Sequence, residues 1–127
     1  MMQQQETELY PVGTDIITKY IGRSSNGRGL FVQNTTINKT TGEYTSGSQG
    51  ASETYMEINP AYTYQKGSEG RLYVFAMYDK DYNYLGYIKN EGLTTWTLEG
   101  ILPNARYARM ATHSATSNWG ITIKRIA

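Results

Sequence analysis

The twelve tyrosines of this 127-residue chain fall largely at alternating positions within short runs. Successive side chains of a pleated strand point to opposite faces, so period-two spacing of aromatic and β-branched residues is what a strand with one buried face requires. The pattern predicts an all-β fold. A tyrosine also carries a hydroxyl on an apolar ring, so a Tyr-rich surface can stack and hydrogen-bond at once, which suits sugars or partner proteins. The bias favours binding over catalysis.

A chain of this length fits one domain, large enough to bury a core without staples and too small for two cores of normal size. Twelve Lys and Arg stand against eleven Asp and Glu, a formal charge of +1. That balance gives no basic footprint for nucleic acid. With no cysteine there is no disulfide framework and no thiolate metal site. Residues 1–10, MMQQQETELY, offer neither a cationic n-region nor an apolar h-region of a secretory signal. No run approaches the roughly 20 apolar residues of a membrane span. A soluble product without membrane insertion is expected; if it acts outside the cell that made it, it must leave by lysis or in an assembled particle.

Residues 1–14 are polar and end at Pro11 and Gly13, which reads as an extended arm that docks on a neighbouring chain, ahead of a single β-sandwich domain over 15–127. Asp15 to Ile21 is the first strand candidate, followed by a Gly/Ser/Asn loop from Gly22 to Gly29. Leu30 to Gln33 is the second, and the Thr/Asn/Gly/Ser-rich stretch from Asn34 to Ser52 reads as loop or weak strand. Thr54–Ile58, Tyr62–Gln65, Arg71–Tyr78, Tyr84–Lys89, Leu93–Leu98 and Gly120–Ile126 then follow as strands between short Gly, Asn or Pro punctuation. That spacing predicts an antiparallel two-sheet sandwich. Asn104–Thr112 alone is ambiguous, being rich in helix formers after Pro103.

Three phrases, Tyr55–Tyr64 (YMEINPAYTY), Arg71–Tyr87 (RLYVFAMYDKDYNYLGY) and Leu98–Met110 (LEGILPNARYARM), are similar to the jelly-roll, carbohydrate-binding-module-like domains of bacteriophage tail and receptor-binding proteins. The resemblance rests on a Pro-containing turn that resumes in aromatics (Ile58, Asn59, Pro60, Tyr62–Tyr64) and a strand closing on a Tyr-Asp turn (Tyr78, Asp79). A restart at Tyr84 and Leu85 and an alternating Pro103, Ala105, Tyr107, Arg109 phrase complete it. It covers about three-fifths of the chain and implies a jelly-roll-like sandwich. It also implies that Asn104–Thr112 is a strand, against local propensity.

Candidate site residues come from the aromatic and cationic groups. Asp79, Asp81 and Asn83 have the spacing that opens an EF-hand loop. Tyr84 stands where its glycine belongs and Asn90 where its last ligand belongs, so a hairpin turn is expected instead of a metal site. His113 is the sole histidine, so it forms no histidine cluster or relay; it is a strand-end residue or a ligand contact. The carboxylates Glu53, Glu57, Glu69, Glu91 and Glu99 are scattered over turns and polar faces and do not point to catalysis, although sequence alone leaves a two-carboxylate glycosidase open. The glycines around Arg23 and Arg28 lack a phosphate-loop ending. Trp96 is expected in the core. Trp119, at the mouth of the polar loop Ser114–Asn118, is a ligand contact, a subunit interface or a core lid. Tyr82 and Tyr84 in the turn after Asp79 are either solvated or stacking surface. A strand over Asn104–Thr112 would align Tyr107, Arg109, Ala111 and His113 on one face, with Arg109 buried in a polar network or presented in a groove.

The expected function is a non-enzymatic, cofactor-free surface module of a virion, binding glycans through Trp119, Tyr82, Tyr84, Arg109 and His113. The rival is a structural virion protein, a capsid decoration or a fibre, tail or baseplate attachment subunit, whose tyrosines line interfaces with other virion proteins or with copies of itself.

Overall fold

A computed structural model describes residues 8–25, 27, 29–68, 70–90, 95–98, 100–113 and 120–127. Among the described residues nine strands form two sheets: β1 (Val32–Ile37), β2 (Tyr44–Ala51), β3 (Met56–Glu57), β4 (Tyr64–Lys66), β5 (Leu72–Tyr78), β6 (Tyr84–Asn90), β7 (Trp96–Thr97), β8 (Tyr107–Thr112) and β9 (Ile123–Arg125). The larger sheet runs β1-β2-β8-β5-β6, with β3 also paired to β8, and the smaller runs β7-β4-β9. Every pairing is antiparallel. The fold is thus the expected all-β, two-sheet antiparallel sandwich, jelly-roll-like in the way the chain crosses repeatedly from one sheet to the other.

Alternation decides which face each residue takes. On β5 and β8, Phe75, Met77, Ala108 and Met110 point toward the smaller sheet and join Tyr64, Leu98, Ile121 and Ile123 in the main core. Their neighbours Val74, Ala76, Tyr78 and Ala111 point the other way and form a second cluster with Ile37. The larger sheet is therefore buried on both faces at its centre, and β5 reads as an almost continuous apolar run, LYVFAMY. Asn104–Thr112 resolves as β8 from Tyr107, a strand, because both its faces have apolar partners whose burial outweighs a weak helix preference.

The cover on the outer face is the β1–β2 hairpin. Among the described residues its strand pairing with the sheet is Gly50↔Thr112 and Ala51↔Ala111, and it carries a bulge between Gln33 and Thr35 where Asn34 takes φ 57°. Bulges bend a ribbon and increase its twist, and here the tip returns across the sheet. Gly42 at the tip has φ 74°, and a Cβ there would stand 2.5 Å from the Tyr84 ring. Only glycine fits such a position. Its carbonyl accepts from the Tyr78 hydroxyl and from Arg109 Nη2, each at 2.6 Å. The Asn34–Ser52 stretch, weak in strand propensity, is in this way held as strand by tertiary contacts.

Two sequence expectations are corrected. Asp15–Ile21 is not a strand: Ile17–Ile21 forms a single wide helical turn, closed by Gly22 N–H donating to the Ile17 carbonyl at 2.9 Å. Its apolar residues Ile16, Ile17, Tyr20 and Ile21 recur at helical spacing, and Asp15 caps the turn by accepting from the Ile17 N–H and the Thr18 hydroxyl. The arm expected over residues 1–14 is part of the fold over its described portion, residues 8–14. Tyr10 is only 3% exposed and its hydroxyl meets that of Tyr64 at 2.6 Å. Gly13 and Thr14 exchange backbone hydrogen bonds with Arg125.

Candidate ligand-binding surface

Tyrosines left uncovered beside the hairpin gather where three elements meet. Tyr55 precedes β3, Tyr82 lies in the β5–β6 turn and Tyr107 opens β8. The Tyr82 and Tyr107 rings stack at 4.5 Å and 21°, and Tyr55 leans on Tyr82 at 4.6 Å and on Tyr107 at 6.0 Å. Tyr82 is 49% exposed although it is a large aromatic. Its backbone holds φ 65°, a left-handed conformation that costs an L-residue roughly 1–2 kcal/mol. Asp79 accounts for that turn. Its carboxylate accepts from the N–H groups of Asp81 and Asn83 and from the Asn83 amide. These bonds, led by the one from the Asn83 backbone, hold its pKa below the usual carboxylate range. Among the described residues no group of His, Cys, Asp and Glu side chains could hold a metal ion.

A cleft of about 430 Å³ opens beside this stack, lined by Glu57, Asn59, Tyr62, Arg106 and Tyr107, with Ile58 among its walls. The pairing of Glu57 with Tyr107 places the carboxylate next to the aromatic patch. Tyr62 is anchored by accepting from the Leu9 N–H at 3.0 Å and by the Arg125 guanidinium 3.6 Å over its ring. Asn59 Oδ1 accepts from the Ala61 N–H. Rings from Tyr62 and Tyr107 and polar groups of both charges thus converge on one open concavity, the combination that small-ligand sites use.

The predicted residues fall in different places. Tyr82 is the exposed centre of the patch. Tyr84 is half-buried and its hydroxyl donates to the Lys39 carbonyl at 2.6 Å, so it holds the hairpin tip down. Arg109 lies under the hairpin, 8% exposed, with Nε donating to the Tyr78 hydroxyl and Nη2 to Gly42. Tyr44, Tyr55 and Tyr78 surround its guanidinium at 4.2, 4.6 and 4.8 Å. Burial opposes that cation; the Tyr78 hydrogen bond and the neighbouring phenols outweigh the opposition and raise its pKa. Of the two placements open to Arg109, the buried network is the one adopted. His113 shares the outer face but packs edge-on to Tyr73 at 6.3 Å. It stands four residues, about 13 Å, along the strand direction from Arg109. Trp119 lies outside the described residues. Trp96 is half-buried as expected of a core residue, with its Nε1 lacking a hydrogen-bond partner among the described residues.

Tyr55, Glu57, Asn59, Tyr62 and Arg106 line the surface without having been singled out as site residues. Alternation puts Tyr107 on one face with Arg109, Ala111 and His113, but its stack with Tyr82 depends on strand pairing that local spacing does not encode. Compared with known protein families, curated proteins and solved structures, the chain matches none. Among the described residues no helix is long and apolar enough to cross a membrane.

Proposed function

We propose that this chain is a non-enzymatic carbohydrate-binding module of a bacteriophage virion surface, with the Tyr55–Tyr82–Tyr107 patch and the adjoining cleft as its binding surface. The observation that carries the reading is the exposed Tyr82 stacked on Tyr107, which in turn lines a cleft with Glu57, Asn59 and Arg106. Sugar rings stack on aromatic faces while side-chain groups of this kind orient their hydroxyls. Binding is favoured over hydrolysis because glycoside hydrolysis needs two carboxyl groups flanking the bond. Among the described residues the cleft's carboxylates are Glu8 and Glu57, and Glu8 is paired with Arg125 at 3.2 Å. The placement on a virus particle is supported by the likeness of the Tyr55–Tyr64, Arg71–Tyr87 and Leu98–Met110 phrases to phage receptor-binding domains.

The test is a glycan array on the intact protein, followed by calorimetry of any hit with Tyr82→Ala. A lost aromatic contact contributes roughly 0.5–1.5 kcal/mol, so affinity should fall about two- to tenfold while the melting temperature holds. No binding at millimolar glycan, or a Tyr82→Ala variant that binds like the parent, would sink the reading. One observation favours a structural virion subunit instead: Leu30 and Val32 are 50% and 41% exposed along the open β1 edge. Such an edge can pair with another chain. A stable homo-oligomer by light scattering, joined to an empty array, would select that alternative.

A further inference from the structure

Arg106 lines two clefts. One is the Glu57/Asn59/Tyr107 cleft; the other, of about 400 Å³, is formed by Asp79, Lys80, Asn104 and Arg106 on the side of the Tyr82 turn. The residue is fixed on both sides, since its N–H donates to the Tyr78 carbonyl and its carbonyl accepts from the Ile58 N–H. Its side chain is exposed, yet Nη1 donates to the carbonyls of Ala105 at 2.8 Å and Pro103 at 3.2 Å. That tether orients the guanidinium plane through one nitrogen. Among the described residues Nε and Nη2 have no protein acceptor.

Charge divides the two clefts. In the second, Lys80 and Arg106 face Asp79, whose carboxylate is already committed to three donors of its own turn. The cations are the groups with donors to spare. In the first, Glu57 supplies the acceptor for hydroxyls and would repel an anion. A pre-oriented guanidinium fork matches a planar carboxylate in two parallel hydrogen bonds, which a lysine cannot reproduce.

Resting on the carbohydrate reading above, we propose that the ligand is an acidic oligosaccharide of at least two residues. The carboxylate of one sugar meets Arg106 on the Lys80 side, and a neighbouring neutral ring lies against Tyr82, Tyr107 and the Glu57/Asn59 cleft. Arg106 is then the residue that selects acidic over neutral chains.

Calorimetry of the intact protein with three tetrasaccharides tests this: a hexuronic acid tetramer, its carboxyl-reduced counterpart, and a sulfated form of the reduced tetramer. The uronic tetramer should bind about tenfold tighter than the reduced one at low salt, the step expected from one charge-assisted pair. Raising the ionic strength to about 1 M, where screening acts within 3 Å, should shrink the gap. Arg106→Gln should bring the uronic tetramer down to the affinity of the reduced one, and Arg106→Lys should recover only part of the preference. Circular dichroism confirms that each variant is folded, and Lys80→Gln provides a second, smaller loss at a position remote from the core. Equal binding of uronic and reduced tetramers by the parent would overturn this inference and leave the carbohydrate reading standing. A sulfated tetramer as tight as the uronic one would overturn the carboxylate assignment, and no binding of any tetramer would overturn both.

Discussion

Tyrosine does two jobs in this molecule, and burial separates them. Tyr82 and its neighbours keep ring area at the surface, whereas Tyr10, Tyr64 and Tyr78 are buried with their hydroxyls paired. A buried phenol must keep its proton, because the phenolate would be a charge in a poorly hydrated site. Burial accordingly pushes Tyr78 up to about 12 and Tyr20 up to about 12, and raises Tyr10 and Tyr64 as well. The fold favours the neutral form, so these groups' folded-state values exceed the unfolded value of about 10. For Tyr78 and Tyr20 the stabilising contribution is complete below pH 10 and is lost as the pH climbs from about 10 through about 12. Phenolate absorbance should therefore rise at higher pH in the native protein than in the denatured chain. The last phenolates should appear together with loss of the far-ultraviolet strand signal. Superimposable native and denatured titration curves would contradict the burial of these rings.

At the level of elements, β5 and β6 were legible in the sequence, β8 was read as strand only through the family resemblance because its residues favour helix, and the hairpin held from outside was not legible. Arg71–Tyr78 and Tyr84–Lys89 announce β5 and β6 by runs of aromatic and aliphatic residues. The β1–β2 hairpin is mostly polar, with Ile37 as its apolar anchor, and its strands are held because Arg109, Tyr78 and Tyr84 grip the tip carbonyls of Gly42 and Lys39. Residues 8–14 were misread for a similar reason: Pro11 and Gly13 signal an extended segment, and nothing local tells that Tyr10 inserts under β4. That placement makes the segment a stabilising element. Tyr10→Ala removes a buried ring and leaves the Tyr64 hydroxyl without this partner, and large aromatic-to-alanine changes in cores cost roughly 3–5 kcal/mol. Thermal unfolding of the variant in monomeric form should show a marked drop in melting temperature. An unchanged transition would return residues 8–14 to the status of a docking arm.

Across the whole molecule the layers are unequal. The main core joins both sheets through side chains from β3, β4, β5, β8 and β9, while the outer cluster is small and the hairpin contributes Ile37 as its one large buried aliphatic residue. The candidate surface lies at the boundary of these layers, since Tyr55 touches both exposed Tyr82 and buried Tyr78. The sequence displayed the rings of that surface but not their meeting, which depends on β3 pairing with β8 across some fifty residues. Unequal layers imply unequal stability, because segments with few buried apolar groups open at lower free energy than the global value. The hairpin is hydrogen-bonded to the sheet through two residue pairs at its base, and the remaining ties to its tip are polar. Native-state hydrogen exchange should accordingly find the amides of Thr36, Asn38 and Gly42 exchanging at least about tenfold faster than those of Phe75 and Met110 after correction for intrinsic rates, a gap of about 1.4 kcal/mol. Mild denaturant should leave the hairpin amides almost unaffected, as local opening exposes little surface, while it accelerates exchange in β5 and β8. Ile37→Ala should widen the gap, because it removes the hairpin's apolar anchor without touching the main core. Equal protection across all five amides, with a common dependence on denaturant, would mean that the hairpin unfolds only with the sandwich and that its polar ties hold it as firmly as a core.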